Sequence, residues 1–206
     1  MAKVFVNKRK VITTTSDEVT EEVVTEAIRL HMSKLVKNYV ESEDMYLSQH
    51  EVLKMTKKDS WKPDNRLVFN YAKYIVDTFA GYQLGVPVKI KHEDENVSEF
   101  VADFRKINDM EDSEFELAKI SSIFGHAFIY VYQDEYKQTR ATYNSPINMF
   151  IVHDNSIEER PLFAVRYTFN ENNNTGIGQV ITNDEIIDAT FSTGGSVRFG
   201  ERTQHI

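Results

Sequence analysis

Apolar side chains recur every three or four residues through the first 125 positions and every second residue through much of the remainder. That change of period predicts helices first and strands afterwards. Val24, Ile28, Met32 (or His31), Leu35 and Tyr39 form one stripe, which predicts a helix over Glu21–Tyr39 with a single buried face. Asp17 and Thr20 are its candidate caps, and Glu21 and Glu22 suit its positive end. Residues 41–55, with Tyr46, Leu47 and Val52, read as a second helical piece or a break, and residues 54–64 as a polar loop. Val68, Ala72, Ile75, Val76 and Phe79 predict a further helix from about residue 65, with Gly81 as its stop. Tyr82, Leu84, Val86, Val88 and Ile90 then alternate like a half-buried strand, which Pro87 confines to an edge or a bulge.

Val97, Phe100, Val101, Phe104 and Ile107 predict a helix over residues 97–110. Ser113 and Glu116 have the spacing of a capping box for the next helix, which runs to Phe124 and ends at Gly125. Two helices joined by a short acidic turn make a helical hairpin. Strands are expected at 127–132, 140–143, 148–152, 162–169, 178–181 and 186–191. Between them stand turn formers: Asn144-Ser145-Pro146, His153-Asp154-Asn155, Asn172-Asn173-Asn174-Thr175-Gly176 and Gly194-Gly195. The expected fold class is α+β: a helix-rich N-terminal half followed by a meander of short, mostly antiparallel strands. Residues 1–19, with Lys3, Lys8, Arg9 and Lys10, read as a flexible arm. Residues 20–206 read as one domain, helical over about 20–125 and strand-rich over about 126–206.

Composition narrows the function. With 206 residues, 41% of them apolar, the chain can build one sizeable core or two small ones. It has no cysteine, which removes disulfides, thiolate metal sites and cysteine nucleophiles. Its longest apolar runs, such as 127–132, fall far short of the roughly 20 residues of a membrane span. The N-terminus lacks the long apolar region of a signal peptide, so no membrane partner is expected. The net charge of −8 argues against tight DNA binding over the whole surface but allows a channel wall past which DNA slides.

One segment carries more than periodicity. Residues 65–88 read NRLVFNYAKYIVDTFAGYQLGVPV. They resemble the segment NN-x-x-x-N-x-x-K-x-I-V-D-x-x-x-G-Y-x-x-G-x-P-V found near the N-terminus of portal proteins of tailed bacteriophages, of the siphophage type. The matching positions are Asn65, Arg66, Asn70, Tyr71, Ala72, Lys73, Ile75, Val76, Asp77, Gly81, Tyr82, Gly85, Pro87 and Val88. The usual asparagine pair is Asp64-Asn65 here. Tyr46 and His50 fit the family's Tyr-x-x-x-His stretch. Gly125, Ala127, Tyr130, Val131, Tyr132, Asp134 and Glu135 keep much of its GxAYExVYxDE segment. Pro146, Phe150, Val152 and Asp154 fit a third element, and Pro161, Ala164, Val165, Arg166 and Tyr167 a fourth.

The resemblance implies a wing-like α+β fold and a structural role in the ring that conducts DNA at a capsid vertex during packaging and ejection. It implies identical subunits in a dodecameric ring as partners, together with the terminase, the scaffold and capsid shell, head-completion proteins and double-stranded DNA. It places the protein in the virion, and in the host cytoplasm during assembly. The family's stem, clip and crown segments are absent from these residues. The chain thus resembles the N-terminal, wing-type portion, whether excised, truncated in a prophage or continued elsewhere.

Catalytic chemistry finds little support in the residues. His31, His50, His92, His126, His153 and His205 are scattered, with no metal-ligand spacing. Gly81 to Gly85 follows a helix and lacks a phosphate-binding lysine, so turn geometry explains it better than a nucleotide loop. No catalytic residue, metal ligand or cofactor is expected. Two charge runs stand out instead. Ten carboxylates lie between Glu93 and Ala118, with only Arg105 and Lys106 as bases. Lys54, Lys57, Lys58 and Lys62 surround Trp61, a set suited to DNA or to a subunit contact. The lysines of one copy facing the acidic hairpin of the next explains both runs at once. Asp77 is expected to pair with Lys73. The alternative readings are a small α+β hydrolase or nucleotide-handling enzyme, and a stand-alone nucleic-acid-binding module.

Overall fold

The computed structural model describes residues 3–59, 61–170, 174–192 and 196–204. The expected turn at Gly194-Gly195, Asn172, Asn173 and His205 lie outside the described residues. The fold is α+β, helices in the N-terminal half followed by a meander of antiparallel strands. The chain divides into two compact units, Met1–Asn38 with Pro146–Ile206, and Tyr39–Ser145. The second unit is thus an insertion between two parts of the first, a division that differs from the single domain expected over residues 20–206.

The first unit is a seven-stranded sheet with a helix on one face. The strands are β1 (Val4–Val6), β2 (Ile12–Thr14), β5 (Met149–Asp154), β6 (Pro161–Asn170), β7 (Thr175–Ile181), β8 (Glu185–Ser192) and β9 (Arg198–Gln204), side by side in that order. All neighbours are antiparallel except β2 and β5, which run parallel. Alternation decides which face is buried. Phe163, Val165 and Tyr167 of β6 point inward, as do Ile187, Ala189 and Phe191 of β8. Gly176 sits opposite Phe191 across the ladder, and a Cβ there would lie 2.1 Å from the phenyl ring. The ring covers the space a side chain would fill.

The expectation of a flexible arm over residues 1–19 is corrected by β1 and β2. Ile12, Thr13 and Thr14 are almost fully buried, and β2 bridges β1 to β5. Lys8, Arg9 and Lys10 occupy the turn of this hairpin, which Asn7 holds by accepting from the amides of Arg9 and Val11. Asn7 also donates to Glu159 in the β5–β6 connection, at 3.0 Å. The basic residues that suggested an arm are there because a turn needs a solvated tip.

The helix covering the sheet begins as α1 (Glu21–Leu30), with Thr20 as its cap, accepting from the Val23 amide. It widens into a π-helical stretch over His31–Val36 and continues as α2 (Lys37–Tyr46), seven residues beyond the expected end. Val23, Val24, Ala27, Ile28, His31 and Leu35 are its buried side. His31 has no solvent exposure. Its ring stacks on Phe150 at 4.4 Å and meets Tyr167 edge-on. A carbonyl can only accept, so Nε2 donates to the Pro146 oxygen at 2.9 Å, and Nδ1 accepts from the Tyr167 hydroxyl at 2.8 Å. Burial pushes the Tyr167 phenol well above its usual pKa.

The second unit is built around α6 (Met110–Phe124). α4 (Tyr71–Leu84), α5 (Glu95–Ile107) and the hairpin of β3 (Phe128–Gln133) with β4 (Thr139–Asn144) pack against it or join it. A short α3 (Glu51–Lys54) precedes the polar loop. Arg105 clamps α5 to α6 through a two-bond pair with Glu114, at 2.6 and 2.9 Å. Asn108 and Arg140 stitch the α5–α6 turn to β4.

Three boundary expectations are corrected. α6 starts at Met110 rather than Ser113, because Glu111 and Asp112 already suit a first turn. α4 starts at Tyr71 and runs through Gly81 to Leu84. A glycine within a helix costs only about 1 kcal/mol, which packing against α6 offsets. The helix stops instead where Pro87 forces its predecessor, Val86, out of helical geometry. The strand expected over 82–90 does not form: residues 87–92 have no regular secondary structure and pair with no strand. Gly125 does end its helix, at φ +87°.

Replacing His31 with alanine leaves a cavity and strands the Pro146 carbonyl, so His31→Ala should cost about 2–4 kcal/mol in urea unfolding. The two helix glycines should respond oppositely. Gly81→Ala, with nothing within 4 Å of the added methyl, should stabilise by about 0.5–1 kcal/mol. Gly125→Ala should destabilise by about 1–2 kcal/mol, because an L-residue must enter the left-handed region. Thermal melts of the pair check both signs.

Candidate functional site

The polar members of the 65–88 segment hold backbone in place. Arg66 donates to the carbonyls of Met55 and Thr56 at 2.6 and 2.8 Å and grips Asp64 through two bonds. The loop is thereby folded back on itself. The Arg66 guanidinium holds the Asp64 carboxyl below the usual range. Asn70 is the cap of α4, accepting from the Lys73 amide, while its NH2 group donates to the Tyr46 carbonyl and Ser48 hydroxyl. Asn70 therefore joins the start of α4 to the end of α2. Asp77 accepts from the Tyr46 hydroxyl at 2.8 Å, where a pair with Lys73 was expected. The Lys73 ammonium lies over the Tyr46 ring instead, 5.7 Å from its centre. Asn65, Gly81, Tyr82, Gly85, Pro87 and Gly125 are exposed.

The described residues of the lysine loop, 54–59 and 61–62, are exposed, with Trp61 at 77%. Lys54 pairs with Asp44 and Lys62 with Asp59, and the Lys62 ammonium also lies 4.6 Å from the Trp61 ring centre. Lys57 and Lys58 have no carboxylate within ion-pair distance among the described residues. Two of the four lysines thus stand outside any ion pair among the described residues, although Lys58 acts on the Asp64 carboxylate through space.

The apolar surface is distributed unevenly. Among the described residues, the buried apolar side chains of the second unit are Val76, Ala80 and Tyr130, while the first unit buries the rest of the core. Conversely, every large exposed apolar side chain except Met32, Ile157 and Ile177 belongs to the second unit. α4 shows why. Val76 and Ala80 face inward, and the opposite side presents Tyr71, Tyr74, Ile75 and Tyr82 at 64–94% exposure, with Phe79 beside them. A helix that is apolar all round is ordinarily buried all round. The periodicity had put Ile75 and Phe79 on the core stripe, whereas the structure turns both outward. α5 has a smaller patch of the same kind, Phe100 and Ile107, beside Glu99 and Asp103.

Among the described residues, no group of three or more histidine or carboxylate side chains converges as metal ligands would. His31 is committed to the core, and His126 lies between Tyr39 and Phe128, where burial lowers its pKa. No helix of the described residues is long and apolar enough to cross a membrane.

The model of the family described as phage portal protein, SPP1 Gp6-like, matches residues 26–206. No curated protein matches the chain significantly.

Burial and the Asp77 carboxylate together push the Tyr46 phenol up to about 12. The folded state prefers the neutral phenol, so its contribution is complete below the ordinary tyrosine pKa of about 10 and disappears as pH rises through 12. Absorbance titration at alkaline pH should show several late-ionising tyrosines, Tyr39 and Tyr167 among them, of which Tyr46→Phe removes one and Asp77→Asn brings that one earlier.

Proposed function

The chain belongs to the phage portal protein family, SPP1 Gp6-like, and on that premise we propose that it is a structural subunit of the ring conducting double-stranded DNA through a capsid vertex. The observation that carries this reading is the family match over residues 26–206. It accounts for the outward apolar surface of the second unit, which a ring of identical subunits would cover. The net charge of −8 suits a conduit, because like charge keeps DNA from adhering as it passes.

On this reading the mechanism is geometric rather than catalytic. Subunits enclose a channel, and the charge on its wall tunes the passage of DNA during packaging and ejection. The partners are identical subunits in a dodecamer, the terminase, the scaffold and capsid shell, and head-completion proteins. The protein belongs at the capsid vertex of the virion and in the host cytoplasm during assembly.

Native mass spectrometry of the chain tests the proposal. The expected species is a closed ring of about twelve copies, in line with the closed symmetry of homo-oligomers. A monomer that stays monomeric at about 100 μM, well above the concentrations that populate micromolar contacts, would count against it.

A further inference from the structure

We infer that the outward face of α4, with the lysine loop beside it in the chain, docks onto the acidic, apolar face of α5 in a second copy. The inference rests on the ring reading and assigns the surfaces through which neighbouring subunits meet. The first argument is area. Tyr71, Tyr74, Ile75, Phe79 and Tyr82 are 58–94% exposed. At the 150–250 Å² that an aromatic side chain buries, they offer roughly 700 Å² together. A stable interface takes about 800 Å² from each partner. Leu67 and Phe69, 79% and 72% exposed just before the helix, supply the remainder, and the Phe69 ring stacks on Tyr71.

The second argument is what surrounds each patch. The side of α4 that carries Tyr71, Tyr74, Ile75, Phe79 and Tyr82 is neutral, with Lys73 and Asp77 exposed elsewhere on the helix, and the loop leading into it supplies Lys57 and Lys58, which form no ion pair among the described residues. On α5, Phe100 and Ile107 are 69% and 47% exposed. Glu99 and Asp103 lie one helical turn apart beside them, and neither is in an ion pair among the described residues. One surface is apolar and follows a basic loop in the chain, and the other is apolar with an acidic border. Each complements the other and repels its own kind, which favours contact between unlike faces over a two-fold dimer. A contact of unlike faces repeats from copy to copy, and it closes into a ring when the rotation per step allows.

Arg105 and Glu114 clamp α5 to α6, and Arg66 with Asp64 closes the loop, so reversing Glu99, Asp103, Lys57 and Lys58 removes no member of either ion pair; Lys58 does favour the Asp64 carboxylate through space, which the melts of each variant check.

The test is sedimentation velocity over a concentration and salt series, with circular dichroism melts confirming that each variant folds. Lys57→Glu with Lys58→Glu should weaken self-association by about tenfold or more, as should Glu99→Lys with Asp103→Lys. Combining all four reversals should restore association to within about threefold of the original, since the pairs are re-matched. Tyr74→Ser with Tyr82→Ser should abolish it. An oligomer that forms normally in every variant overturns the interface and leaves the ring reading intact. An original chain that never associates overturns both. If the lysine reversals leave self-association unchanged but abolish retention of duplex DNA, the lysine loop faces DNA and the inference fails.

Discussion

A histidine without solvent exposure must have both ring nitrogens satisfied, and His31 meets that demand by bonding two distant parts of the chain. Tyr167 belongs to the middle of the sheet, and Pro146 is the residue at which the chain re-enters the first unit after the insertion. The helix, the sheet and the return point of residues 39–145 are therefore fixed by one side chain. The π-helical stretch begins at His31, and the aromatic set of Phe150, Tyr167 and Phe191 packs outward from it. Replacing this polar contact with a purely apolar one would keep the packing but leave the Pro146 carbonyl without its donor.

With its ends held in this way, the inserted unit has a different character. The first unit buries a continuous core, as a self-sufficient fold should. The second combines the packing of α4, α5 and β4 on α6 with polar ties at Arg105–Glu114, Arg66–Asp64, Asn70, Asn108 and Asp134–Arg140. Most of these interactions are partly exposed, and such pairs individually contribute little. Its apolar side chains face outward in large number, the kind of surface that the proposed subunit contact would cover.

Much of the fold was legible in the chain because alternation and helical periodicity are strong wherever one face is buried. Strands β5 to β8 and the α5–α6 hairpin followed from Phe150, Val165, Ile187 and the Val97–Ile107 stripe. β1 and β2 were not legible, because each has three residues and β2 finds its parallel partner about 140 positions away. β9 was missed because Glu201 and Arg202 hide its pattern. Gly81 misled because glycine so often ends helices, while the proline that does end α4 lies six residues on. Of the candidate site, the exposed lysine loop was visible as composition. The outer face of α4 was not, since a helix apolar on both sides gives no periodic sign of which side is covered. The Asp77–Tyr46 contact spans two elements and leaves no mark at a spacing of four.

The central claim is that the first unit is complete in itself and the second is completed by another copy. Hydrogen exchange of the chain at low and high concentration tests it directly. The account predicts that backbone amides of α4 and α5 gain protection as concentration rises, while those of strands β5 to β8 exchange at the same slow rate throughout. Exchange in residues 71–84 and 95–107 that is unaffected by concentration, across the range where oligomers form, would contradict it.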